Sequence, residues 1–316
     1  MPLAANLFAS ALLLGGALIW VWIAGKVSRR QPVLPYQPRR PVPWTGIDLL
    51  LILCAFVVLQ WMCVSLALKF SGIPTPEIWA DLDSHAKFMV VLGDLVSRLL
   101  TLVVGTAIVV VRTGATANDL GLNHQFVTYD LRCGALAFVA SLPLVYGVQA
   151  LVTHWIPYEH QLIDVVHQSN ASATWLAAVV SAVVAAPLTE EFLFRILLQG
   201  WLEKLELSLM LRMSPAQSGQ LDEKTDVVPA TGHPQPGLLG LPIGTLPILI
   251  SSSLFALTHF REGPESVPLR LFAVTPLLVF GLFLGFVYQR THRLLPSLTI
   301  HMLLNGLTMA SLFAGA

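Results

Sequence analysis

Charge is what this sequence has least of. Only 11% of its 316 residues are Asp, Glu, Lys or Arg, where a soluble domain carries about a quarter. That shortfall excludes an ordinary water-facing surface. Together with 55% hydrophobic residues and a mean hydropathy of +0.72, it marks a polytopic membrane protein. An excess of either sign is also lacking, since 18 Lys and Arg balance 18 Asp and Glu, so no bulk field favours nucleic acid or an acidic partner. The three cysteines, Cys54, Cys63 and Cys133, lie in apolar segments at no metal-ligand spacing and imply no disulfide framework. The first apolar run, Leu7 to Ala24, has no basic region before it and no small-residue cleavage site after it, so it reads as a retained helix. No internal repeat is evident, which weakens an inverted-repeat transporter reading.

What is present is a series of apolar runs long enough to cross a bilayer, which takes about 20 residues. They fall near 6–25, 47–69, 88–111, 133–153, 173–202, 243–260, 268–290 and 294–314. The expected fold is therefore all-α, a polytopic transmembrane helical bundle of about eight helices. Its expected organisation is an N-terminal membrane helix with a Pro/Arg-rich loop (1–45), further transmembrane helices (46–172) and a C-terminal membrane core (173–316). That core is interrupted by a mobile polar loop at about 213–240, where Ser, Pro, Gly, Gln and Asp dominate. Lys26, Arg29, Arg30, Arg39 and Arg40 place the end of the first helix in the cytoplasm, and "QRTHR" with Arg290 and Arg293 falls on the same side. The proline- and arginine-rich stretch from Lys26 to Trp44 cannot continue a helix and is expected along anionic headgroups.

Against this background "PLTEEFLFRILLQGWL", Pro187 to Leu202, stands out for carrying two glutamates and an arginine in an apolar helix. Each charge at mid-membrane costs about 2.5–3.5 kcal/mol before pairing. Glu191 and Arg195 are four apart and can neutralise each other on one α-helical face. Glu190 then lies about 100° around the helix without a counter-ion, and a carboxylate in such a place is suited to taking a proton. The competing reading is that all three charges only bind this helix to its neighbours, yet one glutamate would suffice for Arg195. His259 interrupts "LFALTHF", and His301 shares a face with Asn305 in "SLTIHMLLNG". Asp94 and Arg98, again four apart, are expected to satisfy each other in a structural role. The other histidines, His85, His124, His154, His160, His167, His233 and His292, form no ligand pattern and are expected to be solvated.

"EEFLFR", "FALTH" and "HMLLN" fit EExxxR, FxxxH and HxxxN, in that order and each within an apolar helix. The pattern resembles the CPBP family (CAAX protease and bacteriocin-processing, or Abi) of intramembrane proteases, over roughly Trp175 to Leu312. "NDLGL", Asn118 to Leu122, is similar to a short segment these proteins often carry. The resemblance implies an intramembrane endopeptidase in which Glu190 activates water, His259 assists with its proton, and His301 with Asn305 stabilises the oxyanion. Glu191 and Arg195 would support the shape of the site. It implies a membrane-anchored peptide or protein substrate, in part of the family a prenylated CAAX tail, and a place in the bacterial cytoplasmic membrane. No cofactor is firmly implied. Zinc is possible, with Glu190, His259 and His301 as its ligands, and a metal-free account is equally open. A simple topology puts His259 toward the outer end of its span and His301 nearer the inner end of its own. Convergence therefore requires a short or tilted sixth helix, with "FREGPESVP" turning back, or shifted boundaries. The reading from another class is a non-catalytic scaffold or a proton relay through Glu190, His259 and His301.

Overall fold

The computed structural model describes residues 2–72, 82–156, 172–213, 237–260 and 266–315. The described chain is helical throughout and has no strand. Its helices are α1 (Pro2–Ser28), α2 (Gly46–Phe70), α3 (Ser84–Thr113) and α4 (Val127–Thr153). A long, irregular helical run follows: α5 (Ser172–Val180), a π-helical segment (Ser181–Ala185), α6 (Ala186–Glu190), a second π-helical segment (Glu191–Gln199) and α7 (Gly200–Met213). Then come α8 (Thr245–Leu257), α9 (Val267–Ala273), α10 (Thr275–Thr291) and α11 (Leu294–Gly315). Each of the eight expected spans coincides with one of these helices or runs. The polar loop expected at about 213–240 lies mostly outside the described residues, as do His160, His167, His233 and the middle of "FREGPESVP".

Five of the helical runs are long and apolar enough to span a membrane, and six if α9 and α10, bent by 41°, count as one. The chain is a multi-pass membrane protein. Enclosure differs among the spans: 6% of the apolar window of the first is buried inside the protein, against 44% for the run from Ala173 to Arg212. Helices that bury so little carry exposed Leu, Val, Trp and Phe, including Val21, Trp22, Trp61 and Val103, which only lipid can cover favourably. The run with the glutamates is the one most surrounded by protein. The sixth expected span is short, since α8 has only 13 residues.

The chain packs as two compact units, each assembled from three stretches. One comprises Met1–Pro43, Ala117–Pro157 and Phe194–Ile300. Here α1 lies on α4, and α10 packs against α4 and α8. The turn that carries "NDLGL" docks on the corner between α10 and α11: the Gly121 carbonyl accepts from the Leu294 N–H at 3.1 Å. Gly121 has φ +71°, and a Cβ there would sit 2.8 Å from the Leu294 nitrogen, so both its backbone and its neighbour demand glycine.

Within the Pro/Arg loop one arginine turns inward. Arg29, Arg30 and Arg40 are exposed, but Arg39 turns inward, donating to the Tyr288 hydroxyl at 2.8 Å and to Glu203 Oε2 at 2.9 Å. The reason is Glu203, whose second oxygen takes the Gln199 amide at 3.1 Å and which, partly withdrawn from water, is stabilised by a cation. His292, expected to be solvated, is buried at 6% exposure beside it. Its Nδ1–H donates to the Gln37 carbonyl at 2.7 Å, and Nε2 lies 3.2 Å from Glu203 Oε2. Arg293 bonds Asp130 through Nε at 2.7 and 2.9 Å and also reaches the Gln37 side chain. The corner after α10 thus holds both the loop and α4 by charge-assisted hydrogen bonds.

Burial and the adjoining Arg39 guanidinium push His292 below the ordinary histidine value of 6.5, against the pull of Glu203. A base whose folded pKa is depressed binds fewer protons folded than unfolded. Its stabilising contribution is therefore complete above pH 6.5 and falls away as the pH drops toward the folded value. Thermal unfolding in detergent should show a midpoint that drops between about pH 7.5 and 5.5, and His292→Asn should flatten that drop; an identical slope in the variant would contradict this account of the corner.

Candidate active site

The other unit comprises Trp44–Thr116, Tyr158–Leu193 and His301–Ala316. Its frame is the α2–α3 pair, with α5 and the first π segment laid against α3. Gly105 of α3 permits this approach: a Cβ there would meet the Phe192 ring at 2.8 Å and Ile52 at 3.1 Å. Trp175 and Phe313 stack edge to face at 5.0 Å and hold α5 against α11.

Four of the six expected site residues, Glu190, Glu191, His301 and Asn305, fall in this unit. They arrive on two backbones of different pitch. Glu190 ends α6 and Glu191 opens a π-helical segment, while His301 and Asn305 share one face of α11. A π turn closes i→i+5 hydrogen bonds rather than i→i+4, so the backbone after Glu190 widens where Glu191 begins.

Glu191 is fully buried and accepts a hydrogen bond from His301 Nδ1 at 3.0 Å. A carboxylate oxygen accepts, so Nδ1 carries the proton and Nε2 is turned toward Glu190 Oε2, 3.7 Å away. Glu190 itself is approached from two sides. Arg98 Nη1 of α3 lies 3.6 Å from Oε1 and His301 from Oε2, with the glutamate side chain 16% exposed. Neither distance makes a hydrogen bond. Among the described residues the Glu190 carboxylate makes no hydrogen bond and has the Arg98 guanidinium beside it, whereas its neighbour is hydrogen-bonded to His301.

Asn305 Nδ2 donates to the Ala182 carbonyl at 2.8 Å, inside the first π segment. One of its two amide protons is thereby used, and the other remains to be directed elsewhere. Further along α3, Asp94 bonds Arg98 Nε at 2.9 Å as expected from the sequence. The carboxylate also takes Gln60 Nε2 at 3.0 Å and Ser181 Oγ at 2.8 Å. Spacing within α3 does not reveal the approach of Arg98 to Glu190. The signal for it is a second ion pair in a neighbouring span, in register with a glutamine at position 60.

Arg195 and His259 belong to the first unit. Arg195 is fully buried, donates from Nη1 to Ser251 Oγ at 2.7 Å, and lies 5.5 Å from the Phe255 ring centre. His259 has its Nδ1–H donating to the Phe255 carbonyl at 3.0 Å and its ring 5.1 Å from that of Phe255. Among the described residues no group of three or more His, Cys, Asp or Glu is placed to ligate a metal ion.

Residues 172–307 match the model of a protein family described as type II CAAX prenyl endopeptidase Rce1-like. Among curated proteins and among solved structures nothing matches. The matched region contains both π segments, the two glutamates and the His301/Asn305 face.

The Asn305 contact carries a measurable consequence. Asn305→Leu keeps the branched shape but strips the Ala182 carbonyl of its donor, and should destabilise the protein by about 1–3 kcal/mol in denaturant titrations in detergent. An unchanged midpoint would mean that the carbonyl finds another donor.

Proposed function

We propose that this chain, whose residues 172–307 match the model of the type II CAAX prenyl endopeptidase Rce1-like family, is a peptidase that hydrolyses a peptide bond near the C-terminus of a membrane-anchored substrate, with Glu190 as the general base. The observation that carries this reading is the contrast between the glutamates: Glu191 is buried and hydrogen-bonded, whereas Glu190 is partly exposed and, among the described residues, flanked by charge without a hydrogen bond. A base must be free to exchange its proton.

In the proposed reaction a water oxygen attacks the carbonyl carbon of the scissile amide while Glu190 takes one of its protons. The carbonyl π bond opens to an oxyanion, stabilised by His301 and by the spare amide proton of Asn305. Glu191 behind His301 keeps its imidazole oriented through the Nδ1 hydrogen bond. The C–N bond then breaks, and the proton held on Glu190 passes to the leaving nitrogen, releasing a carboxylic acid and an amine; the acid then gives its proton to the amine, leaving a carboxylate and an ammonium group. His259 is assigned a part in that proton transfer, and Arg195 a supporting part, on their motifs alone. Substrates of this chain are membrane-associated peptides in a lipid setting. A prenylated CAAX tail is the proposed one, because the family whose model matches is described by that chemistry.

The test is cleavage of a farnesylated CAAX reporter peptide by purified protein in liposomes. Glu190→Gln should reduce turnover by about 10²–10⁴-fold and Asn305→Ala by about 10²–10³-fold. Turnover should persist in the presence of a chelator; its loss, with recovery on adding zinc, would replace the metal-free account. A Glu190→Gln variant that cleaves at the wild-type rate would overturn the assignment. Proton flux across the liposomes without any cleavage would favour a relay through the same residues.

A further inference from the structure

Asp94 and Arg98 have more partners than an isolated ion pair needs. If they only cancelled each other within α3, the 2.9 Å contact would be enough. Instead the Asp94 carboxylate accepts from donors on three segments: Arg98 Nε on its own helix, Gln60 Nε2 of α2 at 3.0 Å, and Ser181 Oγ of the first π segment at 2.8 Å. Gln60 is fixed in turn, its side-chain oxygen accepting from Ser97 Oγ. Beneath the guanidinium, Thr189 Oγ1 lies 3.4 Å from the Arg98 carbonyl and donates to the Ala185 carbonyl at 2.9 Å, tying α6 to the same stretch of α3.

The result is a braced arginine with its Nε spent on Asp94 and its Nη1 presented to Glu190 Oε1 at 3.6 Å. A guanidinium is planar, so fixing Nε fixes the plane and the direction of the remaining donors. An aspartate with three donors cannot rotate away without breaking all of them. Glu190 lies one residue beyond Thr189, so the element that carries the carboxylate and the element that faces it are registered by the same contacts.

We propose that Arg98 is a positioning residue for peptide hydrolysis, holding the Glu190 carboxylate in its working orientation from a platform built by Asp94, Gln60 and Ser181. This rests on the reading of Glu190 as the base. The length of the contact suits such a role, because a direct hydrogen bond would occupy the oxygen that must accept a proton, whereas a charge at 3.6 Å restrains the group and leaves it available.

The experiment uses the full-length protein in liposomes with the farnesylated CAAX reporter, comparing Arg98→Gln, Arg98→Lys and Asp94→Asn, with unfolding midpoints measured alongside. Arg98→Gln should lower kcat about 10–100-fold at a KM within about twofold of wild type, and Arg98→Lys, which keeps the charge but not the planar fork, should recover part of that loss. Asp94→Asn, which keeps the arginine but loosens its brace, should show the same kcat-only effect in smaller measure. Wild-type kcat in Arg98→Gln, or a lysine variant no better than the glutamine one, would overturn the proposal. Should Arg98→Gln fail to fold, an unaltered kcat in Asp94→Asn would do so instead. A double-mutant cycle on unfolding midpoints between Arg98→Gln and Glu190→Gln reads the contact without turnover, and strict additivity there would count against it. An active Glu190→Gln would sink the assignment of the base; an inactive one beside a fully active Arg98→Gln would sink only the role of the arginine.

Discussion

A carboxylate survives in a hydrocarbon setting only if something answers its charge, and the unit that holds Glu190 and Glu191 is organised around that requirement. The two residues are chemically identical and adjacent, yet their surroundings separate them. Glu191 is inaccessible and joined to His301 by a direct hydrogen bond; Glu190 keeps partial exposure and is flanked by Arg98 and His301 at distances that restrain without binding. That two like groups are driven to opposite conditions is what supports the proposed division, Glu191 as structure and Glu190 as base.

The backbone makes this difference possible. The α6 segment is a single short stretch between two π-helical segments, and π geometry both widens the turn and disturbs the ladder of carbonyls. The disturbed ladder is answered from α11, where Asn305 meets Ala182 while His301, one turn away on the same face, meets Glu191. One regular helix thus braces an irregular one at two points. Cooperation of this kind explains why a helix with two acids and a basic residue is also the span most enclosed by protein.

The unit containing α10 solves a related problem with surface-derived groups. Arg39 enters from a loop, Glu203 from α7 and His292 from the corner after α10, and each would be costly to bury singly. Together they anchor the proline-rich connector, and the neighbouring Arg293–Asp130 pair extends the same corner to α4. Here the buried polar groups specify where the chain turns.

Composition and hydropathy determined the class: a helix-only membrane protein follows from scarce charge and repeated apolar runs, because the bilayer accepts no backbone that is not internally hydrogen-bonded. Spacing also exposed the acids, since Glu190 and Glu191 are conspicuous wherever lipid-like residues surround them. Spacing presupposes a uniform α-helix, and on that geometry Glu191 falls to Arg195 and Glu190 is left alone. Further partners, His301 for Glu191 and Arg98 for Glu190, are remote in the chain, as the separation of 110 between His301 and Glu191 illustrates. Only tertiary packing decides such pairs, because no local periodicity records which face of one helix meets which face of another. The sequence determined that charges must be answered inside the membrane, and the fold decided by what.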